Sequence, residues 1–88
     1  MKTIWKFPLL LKEGISLNMP EKAEVLHLDY QFGTLCLWAL VDPHAAKVVR
    51  RFRIFGTGHP ISENLHLKHL GTVLDGSYVW HVFEERET

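Results

Sequence analysis

Residues 25–41 read VLHLDYQFGTLCLWALV, and this stretch decides the fold class. Apolar and polar side chains alternate in its first half, which is the period of a β-strand. One face of that strand is expected to carry Leu26, Leu28, Tyr30 and Phe32. Gly33 is expected to reverse the chain. Residues 34–41 are almost wholly apolar, which predicts a central strand covered on both faces.

The rest of the chain repeats the same two-residue period. Residues 48–55 predict a third strand, with Val48, Arg50, Phe52 and Ile54 on one face and Val49, Arg51, Arg53 and Phe55 on the other. Asp75-Gly76 predicts a tight hairpin between residues 70–74 and 77–83. Residues 4–7 and 15–18 are expected to be outer strands that end near Pro8 and Pro20. Residues 21–24 and 62–65 could each form one helical turn, with Ser62 as a cap.

These patterns predict a mainly β fold in a single domain, residues 1–88. The expected architecture is a small antiparallel barrel or a strongly curved meander sheet of about six or seven strands, with at most one or two short helical turns.

Composition limits the functions that this domain can have. Ten basic and ten acidic side chains give a formal net charge of zero, which argues against general nucleic-acid binding. A neutral surface also permits self-association, and we expect a homo-oligomer. The single cysteine, Cys36, lies in an apolar run and is expected to be a buried, inert thiol. We expect no signal peptide and no membrane segment, and hence a cytoplasmic protein.

The most distinctive motif is the turn Gly56-Thr57-Gly58-His59-Pro60, which follows a strand with arginines at 51 and 53. Glycines around a threonine can expose several backbone N–H groups at one point, and this predicts an anion site. The predicted ligand-binding residues are Arg51, Arg53, Gly56, Thr57, Gly58 and His59, with Trp80 and His81 as neighbours. The alternatives are a tight turn without a ligand and a solvated arginine face that discourages aggregation.

Other chemistry has weaker support. Six histidines are present, but no three or four of them can be assembled into a metal site, so we expect no metal and no cofactor. Ser62, Ser77 and Thr57 have no recognisable base beside them in the sequence. We therefore expect a binding protein and not an enzyme; a small hydrolase that uses His59 or His81 as its base is the alternative.

Several segments carry a resemblance to a known family. They are WKFP at 5–8, MP at 19–20, CLWALVDP at 36–43, RFRIFGTGHPI at 51–61, LGT at 70–72 and VWHVFE at 79–84. On these segments the chain resembles a family of short, uncharacterised bacteriophage and prophage proteins. The resemblance implies expression inside a bacterial host cell, where small phage proteins often block defences. Two functions follow as hypotheses: sequestering an anionic small molecule or nucleotide signal, or binding and inhibiting a host protein.

Overall fold

Seven β-strands make up the fold. The computed structural model describes residues 1–86, and no helix occurs in that range. The strands are β1 (Thr3–Pro8), β2 (Gly14–Pro20), β3 (Glu24–Gln31), β4 (Thr34–Val41), β5 (Lys47–Gly56), β6 (Leu67–Asp75) and β7 (Tyr78–Glu85). Every strand pair is antiparallel, so the predicted mainly β, antiparallel fold is confirmed.

The strands divide between two sheets. Sheet A has the order β1-β4-β3, and sheet B has the order β2-β5-β7-β6. The chain therefore changes sheet after β1, after β2 and after β4, so the expected small barrel or curved meander is confirmed only as an antiparallel fold of seven strands in two sheets. Each sheet has one apolar face, and packing the two faces together buries both.

Turn residues decide where the chain makes a hairpin and where it leaves a strand pair. Both hairpins turn on glycine: Phe32-Gly33 joins β3 to β4, with φ of 51° and 78°, and Gly76, with φ of 58°, begins the loop from β6 to β7. The second hairpin was predicted with Asp75-Gly76 as its loop, but Asp75 pairs with Tyr78, so the loop is Gly76-Ser77. The connections that do not form hairpins follow or contain Pro8, Pro20, Pro43 and Pro60. Proline cannot donate to a ladder. The pairing of β1 and of β2 ends at Pro8 and Pro20, and Pro43 and Pro60 lie in the connections that follow β4 and β5.

The core lies between the sheets and draws on both. Strand β4 is central in sheet A, as predicted, and alternate residues Leu35, Leu37, Ala39 and Val41 enter the core. Phe52 and Val82 supply fully buried side chains from sheet B. Cys36 is also buried, on the opposite face of β4, where Trp38 and Leu40 are half-buried. The prediction that β4 is covered on both faces is therefore only partly met.

One predicted strand face is broken by a bulge. The register of β3 against β4 shifts between Val25 and His27, so Leu26 is left unpaired and turns outward. Leu28 still enters the core, but Phe32 belongs to the turn and is 96% exposed. The expected set of four residues on one face is therefore wrong at Leu26, where the bulge changes the parity of the strand, and at Phe32, which lies beyond the end of the strand.

The two predicted helical turns are β-turns. At residues 62–65 the N–H of Leu65 donates to the carbonyl of Ser62 at 3.2 Å, and the N–H of Asn64 donates to Ser62 Oγ at 3.2 Å. At residues 20–23 the N–H of Ala23 donates to the carbonyl of Pro20, with Lys22 at a positive φ of 64°. Only residues 21–23 lie between β2 and β3, which leaves no room to extend that turn into a helix.

A partly buried ion pair within sheet B is linked to the chain that enters sheet A, at one side of the core. Arg50 donates from Nε and Nη2 to the two carboxylate oxygens of Glu84, at 2.6 and 2.7 Å. Its Nη1 donates to the carbonyl of Ala23, which precedes β3 of sheet A. The arginine on β5 therefore links β7 in its own sheet to the chain that enters the other sheet.

Phe32 offers a direct test of backbone strain. We expect Phe32→Asn to raise the free energy of unfolding by about 1 kcal/mol, because asparagine tolerates the left-handed conformation and the exposed ring loses no burial. Urea unfolding measures the change. Phe32→Val is the control: a β-branched residue at this φ should lower stability. A loss of stability in Phe32→Asn would show that the ring makes stabilising contacts.

Candidate functional site

The Gly-Thr-Gly-His-Pro motif forms a tight turn immediately after β5. The N–H of His59 donates to the carbonyl of Gly56 at 3.0 Å, and Gly58 has a φ of 89°. A positive φ at the third residue only is the geometry of a type II turn, which favours glycine there. Gly56 has a different reason to be glycine, because a Cβ at that position would lie 2.8 Å from Cε1 of the His59 ring.

Most of the amides in this turn already have acceptors within the chain. The N–H of Gly56 donates to Nδ1 of His59 at 3.1 Å, and the N–H of Thr57 donates to the carbonyl of Val79 at 3.3 Å. The N–H of His59 closes the turn, as described. The predicted cluster of exposed amides is therefore corrected: of residues 56–59, three use their N–H groups to hold the turn.

The two predicted arginines lie on the outer face of sheet B, away from the turn. Arg51 is exposed, whereas Arg53 Nε lies 3.3 Å from Glu85 Oε2 and its Nη1 lies 3.6 Å from Glu13 Oε1. Two carboxylates thus already balance the charge of Arg53. Thr57 lies four positions beyond Arg53 in the chain, which corresponds to roughly 13 Å at the rise of an extended strand. The arginines and the turn do not converge on one point.

Thr57 and His81, both predicted site residues, belong to a continuous hydrogen-bonded chain. Thr57 Oγ1 lies 2.6 Å from His81 Nε2, and His81 Nδ1 lies 3.0 Å from Thr72 Oγ1. Thr72 Oγ1 is also 3.0 Å from His69 Nε2. Thr72 and His69 were not among the site residues predicted from the sequence. The hairpin register could have identified Thr72, because a loop at Gly76-Ser77 places residue 72 directly opposite residue 81.

His59 and Trp80 lie together in an open cleft of about 390 Å³. Its walls come from the connection between β1 and β2, from the end of β5 and from the turn. The apolar lining is Leu11, Ile54, Phe55, Pro60 and Trp80. Lys12 and Glu13 add charged groups to the lining. The volume falls in the range of small-molecule sites, and the mostly apolar walls suit a flat, partly apolar group.

Trp80 is the central aromatic residue of this region. Its ring stacks on Tyr78, with centroids 5.8 Å apart and an interplanar angle of 14°. The indole Nε1 is buried and makes no hydrogen bond of good geometry. Its proximity to the Tyr30 hydroxyl acts to lower the pKa of that hydroxyl, against the larger effects of burial and of Asp75 that raise it. The indole N–H is therefore a donor whose acceptor is poorly placed.

Burial raises the pKa of the Tyr30 hydroxyl above its ordinary value of 10.0, and the nearby carboxylate of Asp75 raises it further. The unfolded chain then releases the tyrosine proton at a lower pH than the folded chain does. The stabilisation by neutral Tyr30 is complete below pH 10 and is lost as the pH rises through the folded pKa.

We expect Tyr30→Phe to lose less stability than the parent protein when the pH is raised above 10. Urea midpoints measured at neutral pH and at alkaline pH give the difference. Tyr78→Phe, at the exposed second tyrosine, is the matched control and should follow the parent protein. Equal alkaline losses in the parent protein and Tyr30→Phe would contradict this prediction.

Within residues 1–86 no group of three or more histidine, cysteine, aspartate or glutamate residues is placed to hold a metal ion. In the same part of the chain, no helix has the length and apolar character needed to cross a membrane.

The fold and the cleft define a class of protein: a small domain of two antiparallel sheets with an open apolar cleft beside a glycine turn. The chain belongs to the DUF7352 family, a domain of unknown function whose family model matches residues 1–88. No curated protein and no solved structure matches the chain. Membership agrees with the predicted uncharacterised family, whereas the phage origin stays a prediction.

Proposed function

We propose that this protein works by binding, and that its ligand site is the cleft lined by His59 and Trp80. The observation that carries the proposal is the size and character of this opening, about 390 Å³ with mostly apolar walls. Apolar, concave sites of this size that carry a few polar groups are the usual form of ligand pockets. Two of the predicted ligand-binding residues contribute to it.

The chemistry of the lining favours a nucleotide or a similar aromatic anion. The apolar walls suit a planar base, and Trp80 supplies an aromatic ring for it. Lys12 supplies a positive charge for a phosphate. Glu13, which would repel an anion, is already paired with Arg53. The phage resemblance adds a context in which such a protein sequesters a nucleotide signal in the cytoplasm of the bacterial host.

A panel of nucleotides tests the proposal through the melting temperature of the protein. A ligand at about 100 times its Kd should stabilise the folded state by about 2.7 kcal/mol, which raises the melting temperature by several degrees. Leu11→Asp should remove the shift, because it places a charge in the apolar wall. Leu10→Asp, at the exposed neighbour that does not line the cleft, is the matched control.

Arg51→Ala separates the cleft from the arginine site predicted from the sequence. Ligand binding in the cleft should survive this substitution, whereas binding on the arginine face should weaken. If no nucleotide produces a shift at millimolar concentration, the nucleotide proposal is wrong.

The second candidate function is binding to a host protein. Leu10, Ile61 and Tyr78 are large apolar side chains, 67%, 42% and 63% exposed, and each neighbours a cleft residue in sequence or by stacking. Exposed apolar groups of this kind are typical of protein contacts. The same residues could join copies of this chain, which is our proposal for the homo-oligomer. Leu10→Asp would then weaken capture of a partner from bacterial lysate, or lower the mass measured in solution, and leave nucleotide binding intact.

A further inference from the structure

The hydrogen-bonded chain on the outer face of sheet B has the parts of a nucleophilic site. We propose that Thr57 is a nucleophile and His81 its general base, for acyl transfer from an activated carboxylic ester. This goes beyond ligand binding in the cleft and does not depend on it. The sequence showed no base beside Thr57, whereas in the structure the hydroxyl lies 2.6 Å from His81 Nε2. That distance meets the requirement for direct proton transfer between a nucleophile and its base.

One direction of donation along these hydrogen bonds gives His81 the protonation state that a base needs. If the Thr57 hydroxyl donates to His81 Nε2, then His81 carries its proton on Nδ1 and donates it to Thr72 Oγ1. The Thr72 hydroxyl proton is then available for His69 Nε2. Each of these groups donates once in the same direction. Thr72 is therefore a positioning residue for the His81 ring. When His81 becomes positively charged, the hydrogen bonds through Thr72 can spread part of that charge to His69.

The turn leaves the hydroxyl open to a substrate. Thr57 is exposed and lies between Gly56 and Gly58, so neither neighbour has a side chain to obstruct approach. None of the hydrogen bonds among residues 1–86 uses the N–H of Gly58. In α/β-hydrolases the N–H of the residue after the nucleophile helps to stabilise the oxyanion, and Gly58 is the residue after Thr57. The turn thus supplies a nucleophile, Thr57, and a free amide, that of Gly58. The neighbouring strands β7 and β6 supply the base, His81, and the positioning hydroxyl, that of Thr72.

The proposed reaction conserves atoms and charge. Thr57 Oγ bonds to the ester carbonyl carbon while its proton passes to His81 Nε2. The carbonyl–oxygen bond to the leaving alcohol breaks, and His81 returns the proton to that oxygen. The product is an acyl-threonine, which water hydrolyses with His81 again acting as base. No oxidant, reductant or metal takes part.

The test uses 4-nitrophenyl acetate with the full chain. Peptide mass spectrometry should locate an acetyl group on Thr57, together with release of nitrophenolate. Thr57→Val should abolish this acetylation, and His81→Gln should slow it by about 10²- to 10⁴-fold. Thr57→Ser should retain it, because the hydroxyl is preserved and is less hindered. Thr34→Val, at an exposed threonine outside the chain of hydrogen bonds, is the matched control and should react like the parent protein.

The location of the acetyl group decides the outcome, since exposed histidines hydrolyse this ester without any site. The proposal would be overturned if, in folded parent protein, Thr57 were acetylated no more than Thr34. The melting temperature measured before and after the reaction shows that the protein stays folded. Thr72→Val tests positioning: ¹⁵N NMR should show His81 losing its preference for the Nδ1–H tautomer, along with slower acetylation. A purely structural role for Thr72 would leave the tautomer as it is.

Discussion

Phe52→Ala is expected to lower the free energy of unfolding by about 3–5 kcal/mol, the range for removing a fully buried aromatic ring. Phe52 is 0% exposed, and it lies on β5, an inner strand of sheet B. A domain of this length has a total stability of only about 4–13 kcal/mol. Phe52→Ala should therefore remove between about a quarter and the whole of this stability. Urea unfolding followed by circular dichroism measures the loss.

Val49→Ala is the control for Phe52→Ala. Val49 lies on the same strand but is 54% exposed, so its truncation should change stability by no more than about 0.5 kcal/mol. Similar losses in the two variants would mean that the core is not centred where the two sheets meet.

Arg50→Ala is expected to cost about 3 kcal/mol, because it leaves the Glu84 carboxylate without its partner. The side chains of Arg50 and Glu84 are only 18% and 16% exposed, so solvent cannot replace the lost bonds fully. The substitution also removes the donor to the Ala23 carbonyl and so releases the link between the sheets. Arg50→Lys should recover part of the loss, since lysine keeps the charge but cannot form the bidentate pair.

Two further variants separate the ion pair from general surface effects. Arg51→Ala, at the next residue and exposed, should be nearly neutral. The double variant Arg50→Met with Glu84→Leu should be more stable than Arg50→Ala, because no buried charge is left unpaired. If the double variant lost as much stability as Arg50→Ala, the stabilisation would come from packing of the side-chain stems instead of charge pairing.

Local sequence patterns predicted much of the fold. Each pattern acts over only a few neighbouring residues. The alternation in residues 25–32 predicted β3, the apolar run in residues 34–41 predicted β4, and the glycines predicted the two hairpin turns. The prolines carried information that the sequence analysis used only in part. A proline ends or follows each of the four strands after which the chain does not form a hairpin, and neither hairpin loop contains a proline.

The predicted site was harder to read. The turn at residues 56–60 was located correctly, but its amides hold the turn together, and Arg53 pairs with Glu13 and Glu85. Those carboxylates are far from Arg53 in the chain, so no local pattern could identify them. The cleft depends on the same long-range contacts, since Leu11 and Trp80 meet only when the two sheets are packed.

The amino-acid order alone determined that the chain forms short antiparallel strands, where it makes its two hairpins and that Cys36 is buried, because side-chain period and turn chemistry act over a few neighbouring residues. Tertiary packing alone decided the division into two sheets, the Arg50–Glu84 pair and the approach of Thr57 to His81. These depend on which distant strands bury each other's apolar faces, and that choice is made by the free energy of the whole assembled core.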